Sequence, residues 1–180
     1  RGVNMNVSII LAAGEGTRMK SNKPKVLHKI CGKPILEYVI RASKNAHVDK
    51  NYIIIGHGGD KVKEEFEDSD IIFKTQPIGE GYPYGTGYAV MQAIDCIQDD
   101  DNVVILYGDT PLIRSNTIEN LMAYHKDHGC DGTVLTANLD DPAGYGRILR
   151  DEKGCILGIV EHKDATQEEL NIKEINSGIY

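Results

Sequence analysis

Near its start the chain reads VSIILAAGEGTRM over residues 7–19. Residues 7–12 form an almost entirely apolar run, without the polar alternation of a strand that has one face in water. Such a run is typical of a central parallel strand that is buried on both faces. Gly14 and Gly16 interrupt the run. The sequence therefore predicts a buried strand followed by a glycine-containing loop.

Further along the chain, predicted strands and helices alternate. Apolar periodicity and turn residues predict helices over 34–46, 60–66, 89–97 and 116–129, and strands over 52–55, 71–74, 103–106, 133–138, 147–150, 156–160 and 175–180. In the helix over 116–129, Asn116 and Glu119 have capping-box spacing, and Gly129 marks the end. Alternation of this kind predicts an α/β fold with a mixed, mostly parallel sheet flanked by helices.

Ligands of such sheets bind beyond the carboxyl ends of the strands. Two loops, the one after Ala12 and the one carrying Asp109, are therefore the first candidates for a site.

Composition and charge exclude several classes of protein. The 180 residues carry 20 basic and 27 acidic side chains, and the net charge of −7 argues against a general nucleic-acid binder. The length favours one domain, and no apolar run approaches the roughly 20 residues of a membrane span. The four cysteines form no CxxC pair. This pattern favours reduced thiols in a cytoplasmic protein over a zinc site or disulfides.

The loop after the first strand has the chemistry of a phosphate site. Gly14 and Gly16 let the backbone approach a ligand closely and point N–H groups at phosphate oxygens. Basic residues cluster there in an otherwise acidic chain: Arg18, Lys20, Lys23, Lys25, Lys29 and Lys33. Met19 occupies the position of the second glycine of a Walker A loop and of the third glycine of GxGxxG. The loop therefore fits neither common nucleotide motif, and a solvated basic loop is the alternative.

A second candidate motif is Tyr107-Gly108-Asp109 at the end of a predicted strand. A carboxylate there would project into the ligand crevice, where it can hold Mg²⁺ against phosphate oxygens. A turn-forming aspartate fits the same position.

These motifs, with others, resemble those of the nucleotide-diphospho-sugar pyrophosphorylases. The resemblance is strongest to the uridyltransferase domain of the bacterial bifunctional N-acetylglucosamine-1-phosphate uridyltransferase/glucosamine-1-phosphate acetyltransferases, and it extends over residues 7–180. It is carried by LAAGEGTRMKSNKPKVLHKICGKPIL (11–36), GTGYA (85–89), YGDTPL (107–112), DDPAGYGRI (140–148), GIVEHKDAT (158–166) and EINSGIY (174–180).

The resemblance implies a Rossmann-like nucleotide-diphospho-sugar transferase fold and a Mg²⁺-dependent reaction. UTP and N-acetylglucosamine 1-phosphate would give UDP-N-acetylglucosamine and pyrophosphate, a cytoplasmic step that feeds peptidoglycan synthesis. The implied catalytic residues are Arg18 and Lys25, and the implied metal ligand is Asp109.

The resemblance also implies a set of substrate contacts. They are nucleotide contacts from Leu11, Ala12, Ala13 and Gly14, uracil recognition by Gln76, Gly85 and Thr86, further contacts from Tyr107 and Gly108, and N-acetylglucosamine contacts from Gly146, Glu161 and Asn176. Each of Gln76, Thr86, Glu161 and Asn176 has a simpler alternative role as a capping, charged-surface or turn residue.

The sequence departs from the family pattern at two places. The segment between Gln76 and Gly85 is longer than its counterpart, and Tyr88 replaces the usual histidine. Moreover, the family's domain continues beyond the position of Tyr180 with a second metal ligand, and then with a β-helix acetyltransferase domain through which the relatives form trimers. We therefore expect residues 1–180 to be one C-terminally incomplete nucleotidyltransferase domain, a monomer or weak oligomer with low activity.

Two other functions remain open from the sequence. One is a pyrophosphorylase for another sugar 1-phosphate, and the other is a nucleotide-binding fragment without catalytic activity. A nicotinamide-dependent Rossmann enzyme is disfavoured by Met19 and by the missing acidic residue after the second strand.

Overall fold

The computed structural model describes residues 4–14, 16, 21, 23–67, 70–83 and 85–180. Its contacts divide the chain into two compact units, Arg1–Gly129 and Cys130–Tyr180, which are described separately below. Within the described residues no helix is long and apolar enough to cross a membrane. Cys31, Cys96, Cys130 and Cys155 form no disulfide in this structure.

The N-terminal unit is built on a four-stranded parallel sheet. Its elements are β1 (Asn6–Ala12), β2 (Lys29–Ile30), β3 (Lys33–Pro34), α1 (Ile35–Asn45), β4 (Lys50–Ile55), α2 (Gly59–Glu65), β5 (Ile71–Thr75), α3 (Thr86–Met91), β6 (Asn102–Tyr107) and α4 (Ser115–His128). The strand order is β5-β4-β1-β6, and β2 and β3 form a separate antiparallel pair. Strand order reverses beside β1, which places a topological switch point between β1 and β6.

Strand β1 is the centre of the hydrophobic core. Ile9 and Ile10 point to opposite faces of the sheet, and both are fully buried. On one face, Ile9 packs in a cluster with Tyr52 and Ile54 of β4 and with Ala89 of α3. The prediction of a strand buried on both faces is confirmed, because Val7 and Ile9 on one face and Ser8 and Ile10 on the other are fully buried.

The helix predicted over 89–97 was misplaced. Helix α3 begins at Thr86 and ends at Met91, and a 3₁₀ turn follows over Ile94–Cys96. Ala93 between them is fully buried, whereas Ile94 is 59% exposed. The apolar spacing continues through both short elements, so it could not reveal the break.

The start of α4 also differs from the prediction, but its end agrees. Helix α4 begins one residue before Asn116, and Arg114 at the N-cap makes no side-chain capping bond. The capping box predicted at Asn116 and Glu119 is therefore wrong. At the other end Gly129 adopts φ of 57°, and its N–H donates to the carbonyls of His125 and Lys126. Glycine tolerates this left-handed conformation, which explains the termination.

The C-terminal unit is an antiparallel sheet with one short helix. It contains β7 (Thr136–Asn138), β8 (Arg147–Arg150), β9 (Ile156–Val160), α5 (Gln167–Leu170) and β10 (Glu174–Asn176), with strand order β7-β10-β8-β9. The sequence did not predict α5, which begins with a complete capping box between Thr166 and Glu169.

Two strands of this unit are shorter than predicted. Strand β7 begins at Thr136, and β10 ends at Asn176. The backbone turns after β10 because the Gly178 N–H donates to the Asn176 side-chain oxygen at 2.9 Å, with Gly178 at φ of 81°. The predicted α/β fold class is nonetheless confirmed by the parallel sheet and its flanking helices.

Candidate functional site

A cavity of about 360 Å³ opens at the carboxyl edge of the parallel sheet. Segments that follow β1, β5 and β6 line it, together with the start of α3. This is the edge where the sequence predicted a ligand. The lining includes residues 11–14 and Lys25 from the predicted phosphate loop. Arg18 and Lys20 lie outside the described residues. Lys23, Lys29 and Lys33 are described but do not line the cavity.

Strands β1 and β6 approach each other closely where the cavity begins. The Gly108 N–H donates to the Leu11 carbonyl at 2.9 Å. A Cβ atom on Gly108 would lie 3.0 Å from Leu36 Cδ1 and 3.1 Å from the Leu11 carbonyl oxygen. Gly108 itself does not line the cavity. Its missing side chain lets the β6 end pack against β1, and this packing sets the position of Asp109.

Lys25 and Asp109, the charged side chains among the described residues of the lining, contact each other. Lys25 Nζ lies 2.5 Å from Asp109 Oδ2, and the two side chains are 37% and 31% exposed. Lys25 is also held against the glycine loop, since a Cβ on Gly16 would come within 2.9 Å of Lys25 Cβ. Ion pairs that remain accessible to water contribute only about 0–1 kcal/mol. The pair can therefore be exchanged for contacts with a charged ligand at little cost.

Gln76 lies at the other side of the cavity, at the ends of β4 and β5. Its N–H donates to the Ile55 carbonyl at 2.8 Å, and the residue is only 8% exposed. Its carboxamide makes no hydrogen bond to another described residue, although it lines the cavity. A buried carboxamide in this situation can donate to and accept from a ligand edge.

Gly85 and Thr86 lie at the start of α3 and close the same cavity. Gly85 has φ of 128°, a conformation that L side chains rarely adopt. The Thr86 hydroxyl lies 3.1 Å from the Tyr107 hydroxyl, which ties the start of α3 to the end of β6. Thr86 is the first helical residue of α3, and Gly85 occupies the N-cap, so the simple capping role does not account for Thr86.

Sequence reasoning missed part of the lining. Val26 and Ala89 line the cavity, as do Pro77, Ile78, Gly79, Tyr82 and Pro83 from the long segment before α3. The unusual length of that segment was the available signal, but apolar side chains give no chemical indication of a ligand.

The C-terminal unit brings the three predicted sugar-binding residues together. The Asn176 N–H donates to the Gly146 carbonyl at 2.9 Å. A Cβ on Gly146 would lie 3.5 Å from Glu161 Oε1 and 3.2 Å from Ile159 Cγ2. The side-chain nitrogen of Asn176 donates to the Tyr180 hydroxyl at 2.8 Å, so the amide has a fixed orientation.

A buried arginine supports this cluster. Arg147 is 1% exposed, and its guanidinium donates to the Tyr145 carbonyl, to the Leu170 carbonyl at 3.5 Å and toward His162 Nδ1 at 3.4 Å. Its Nε has no hydrogen-bond partner among the described residues. The guanidinium thereby connects α5, through Leu170, to Tyr145 beside Gly146 and to His162 beside Glu161.

Nearby, two hydrogen bonds of 2.7 and 2.8 Å join Arg150 to the Glu174 carboxylate. The hydrogen bonds from Arg150 are the main reason that the pKa of Glu174 falls to about 2. This bidentate pair joins β8 to β10.

Known sequences resemble this chain over most of its length. Residues 8–160 match the family model for the MobA-like NTP transferase domain. Curated relatives named Bifunctional protein GlmU are 50% identical over 175 residues in Acetivibrio thermocellus and 49% identical over 174 residues in Clostridioides difficile. These alignments cover 97% and 96% of this chain but 37% of each relative. The chain thus spans a little over a third of the length of the curated relatives it matches.

Solved structures show the same fold. A protein described as a glucose-1-phosphate thymidylyltransferase from Bacillus anthracis, in complex with a sucrose, aligns with a TM-score of 0.76 at 22% identity over 96% of this chain and 69% of that one. HddC from Yersinia pseudotuberculosis, complexed with GMP-PN, aligns with a TM-score of 0.70 at 25% identity over 97% of this chain and 75% of that one.

Proposed function

Because the chain belongs to the MobA-like NTP transferase domain family, we propose that it transfers a uridylyl group from UTP to N-acetylglucosamine 1-phosphate. The products would be UDP-N-acetylglucosamine, a precursor for cell-wall peptidoglycan, and pyrophosphate. One observation carries the proposal: the cavity at the carboxyl edge of the sheet combines a glycine-loop backbone, a Lys25–Asp109 pair and the buried carboxamide of Gln76.

The nucleotide would bind with its triphosphate against residues 11–14 and Lys25. Backbone N–H groups and an ammonium group are the donors that phosphate oxygens require. Gln76 would bind the uracil edge, because a carboxamide can donate to a base carbonyl and accept from the ring N–H. Gly85 and Thr86 would close the base site from the start of α3.

The transfer needs no protein nucleophile. A phosphate oxygen of the sugar substrate attacks the α-phosphorus of UTP in line, and a new P–O bond forms. The bond from the α-phosphorus to the bridging oxygen breaks, and pyrophosphate leaves with the electron pair. The Lys25 ammonium group would neutralise charge on the phosphates during this step, and alignment of the two substrates supplies most of the remaining acceleration.

Asp109 has the chemistry to hold Mg²⁺. Among the described residues, no cluster of three or more metal-ligating side chains occurs. A single carboxylate suffices, however, because Mg²⁺ commonly binds one or two carboxylates together with waters and substrate phosphates. When bound, Mg²⁺ neutralises phosphate charge. Lys25 would then exchange its contact with Asp109 for contacts with phosphate oxygens.

The sugar would be bound by Gly146, Glu161 and Asn176. The missing side chain of Gly146 leaves space beside the Glu161 carboxylate, which can accept hydrogen bonds from sugar hydroxyl groups. The fixed orientation of the Asn176 amide would help to position the N-acetyl sugar.

A pyrophosphate-release assay tests the proposal. The protein is incubated with Mg²⁺, UTP and N-acetylglucosamine 1-phosphate, and then with glucose 1-phosphate or with dTTP in place of one substrate. We expect the highest kcat/KM for the first pair. A preference for another pair would assign a different pyrophosphorylase activity. No release, combined with measurable binding of UDP-N-acetylglucosamine by calorimetry, would instead indicate a nucleotide-binding protein without turnover.

A further inference from the structure

The described residues from Gln76 to Thr86, which are 76–83, 85 and 86, lie along the carboxyl edge of the parallel sheet; we call them the edge loop. It begins beside β4 and β5, where the Gln76 N–H donates to the Ile55 carbonyl at 2.8 Å. It ends beside β6, where the Thr86 and Tyr107 hydroxyls lie 3.1 Å apart. Strands β5 and β6 are three spacings apart in this sheet, which is roughly 14 Å. The edge loop therefore spans the cavity.

The lining of the cavity divides into two kinds of chemistry. Among the described lining residues, Lys25 and Asp109 are the charged ones, and they belong to the β1 and β6 side. The edge loop contributes Pro77, Ile78, Gly79, Tyr82 and Pro83, which carry no charge. A ligand that fits both parts has an anionic group joined to a flat, weakly polar ring. A nucleoside triphosphate has this composition.

Ile78 packs against Gly56, which follows the end of β4. A Cβ on Gly56 would lie 2.6 Å from Ile78 Cδ1 and 2.8 Å from the Ala13 carbonyl oxygen. The missing side chain of Gly56 thus provides the space in which Ile78 packs beside the end of β1. Ile78 remains 42% exposed and lines the cavity, so part of its surface is available to a ligand.

Tyr82 is placed at the cavity by two glycines. Gly79 and Gly81 have φ of 129° and 91°, which L side chains rarely adopt, and the Tyr82 N–H donates to the Gly79 carbonyl at 3.3 Å. The Tyr82 residue is 54% exposed. A half-exposed aromatic ring in the wall of a cavity offers a π-face on which a base can stack.

We propose that Tyr82 stacks on the nucleobase of the bound nucleoside triphosphate and that Ile78 extends the same apolar surface. This inference rests on the proposed function, and it divides base recognition between two groups. Gln76 contacts the edge of the base and discriminates among bases. Tyr82 contacts the face of the base and adds affinity without discrimination, because every base has a π-face.

Calorimetric titration of the 180-residue chain tests this division, with UTP, CTP and tripolyphosphate as probes in the presence of Mg²⁺. We expect Tyr82→Ala to weaken UTP and CTP binding by the same factor, about five- to tenfold. This factor corresponds to the low end of measured base–aromatic stacking energies, because the Tyr82 ring is half exposed. Tripolyphosphate has no base, and its affinity should not change. Tyr82→Phe keeps the ring and should bind UTP like the parent.

Tyr124→Ala is the matched control, since Tyr124 is also 54% exposed but lies on α4 outside the cavity. Three results would overturn the inference while the parent still binds UTP: unchanged UTP affinity in Tyr82→Ala, equal weakening of UTP and tripolyphosphate, or an equal loss in Tyr82→Phe. A parent that binds UTP no better than tripolyphosphate would refute the proposed function itself.

Discussion

Replacement of Gly108 by alanine tests whether the close approach of β6 to β1 positions Asp109. The added Cβ would lie 3.0 Å from Leu36 Cδ1 and 3.1 Å from the Leu11 carbonyl oxygen. Leu36 is fully buried, and the Leu11 carbonyl already accepts the Gly108 N–H at 2.9 Å. Neither neighbour can move without disturbing the core or the hydrogen bond, so the end of β6 must shift.

The expected cost follows from this crowding. An extra methyl group in a well-packed region typically destabilises a protein by about 1–3 kcal/mol. In a chain of 180 residues this lowers Tm by roughly 2–12 °C. Because the displaced backbone carries Asp109, the Mg²⁺-dependent affinity for UTP should also fall at temperatures where the variant is still folded.

Thermal unfolding followed by circular dichroism and calorimetric UTP titration measure the two effects. Gly132→Ala is the control, because a Cβ there meets no atom within 4 Å. The control should keep its free energy of unfolding within about 0.5 kcal/mol of the parent. A Gly108→Ala variant with the parental Tm and UTP affinity would show that this contact does not determine where Asp109 lies.

Three further predictions concern individual charges. Asp109→Asn should remove most of the Mg²⁺ dependence of UTP binding. The control is Asp70→Asn, because Asp70 is an exposed carboxylate outside the cavity, and this variant should keep the Mg²⁺ dependence. Equal Mg²⁺ dependence in both variants would contradict a metal role for Asp109. The pKa of Glu174 lies near 2, below its ordinary 4.5, because Arg150 binds the carboxylate. The ionised Glu174 carboxylate should therefore stabilise the fold fully above pH 4.5, and this contribution should disappear toward pH 2. In urea unfolding, the free energy of unfolding of Glu174→Gln should lack this part of the acid dependence. Arg147→Met should lower the free energy of unfolding by about 1–3 kcal/mol, because the Tyr145 and Leu170 carbonyls lose their donor; an unchanged urea midpoint would argue against that role.

Strand β1 was predictable because burial on both faces requires apolar residues at successive positions of its sequence. Ile9 and Ile10 lie on opposite faces of β1, and both are fully buried. Only a strand covered on both sides tolerates apolar residues at successive positions. The loops at the carboxyl ends followed from the same reasoning, since parallel strands bring their ends to one edge.

Helix starts were less predictable, because the same spacing occurs where no cap forms. Asn116 and Glu119 have the capping-box spacing, but the helix has already begun at Ser115, so Asn116 lies within the first turn. Thr166 and Glu169 have the same spacing and form the complete box. The difference depends on where the backbone leaves its extended conformation, which tertiary packing determines and local spacing does not.

The candidate site shows a similar division between charged and apolar groups. Lys25 could be selected from the sequence because it belongs to a basic cluster beside a glycine loop, and Asp109 because it follows an apolar strand whose carboxyl end faces the ligand crevice. Ile78 and Tyr82 resemble ordinary loop and core residues in sequence, and the glycines around them permit several backbone paths. Only the structure puts them in the cavity wall, where Ile78 occupies the space left at Gly56. Reasoning from sequence therefore finds the charged groups of the cavity and misses its apolar wall, so variants of Tyr82 test what the motifs could not indicate.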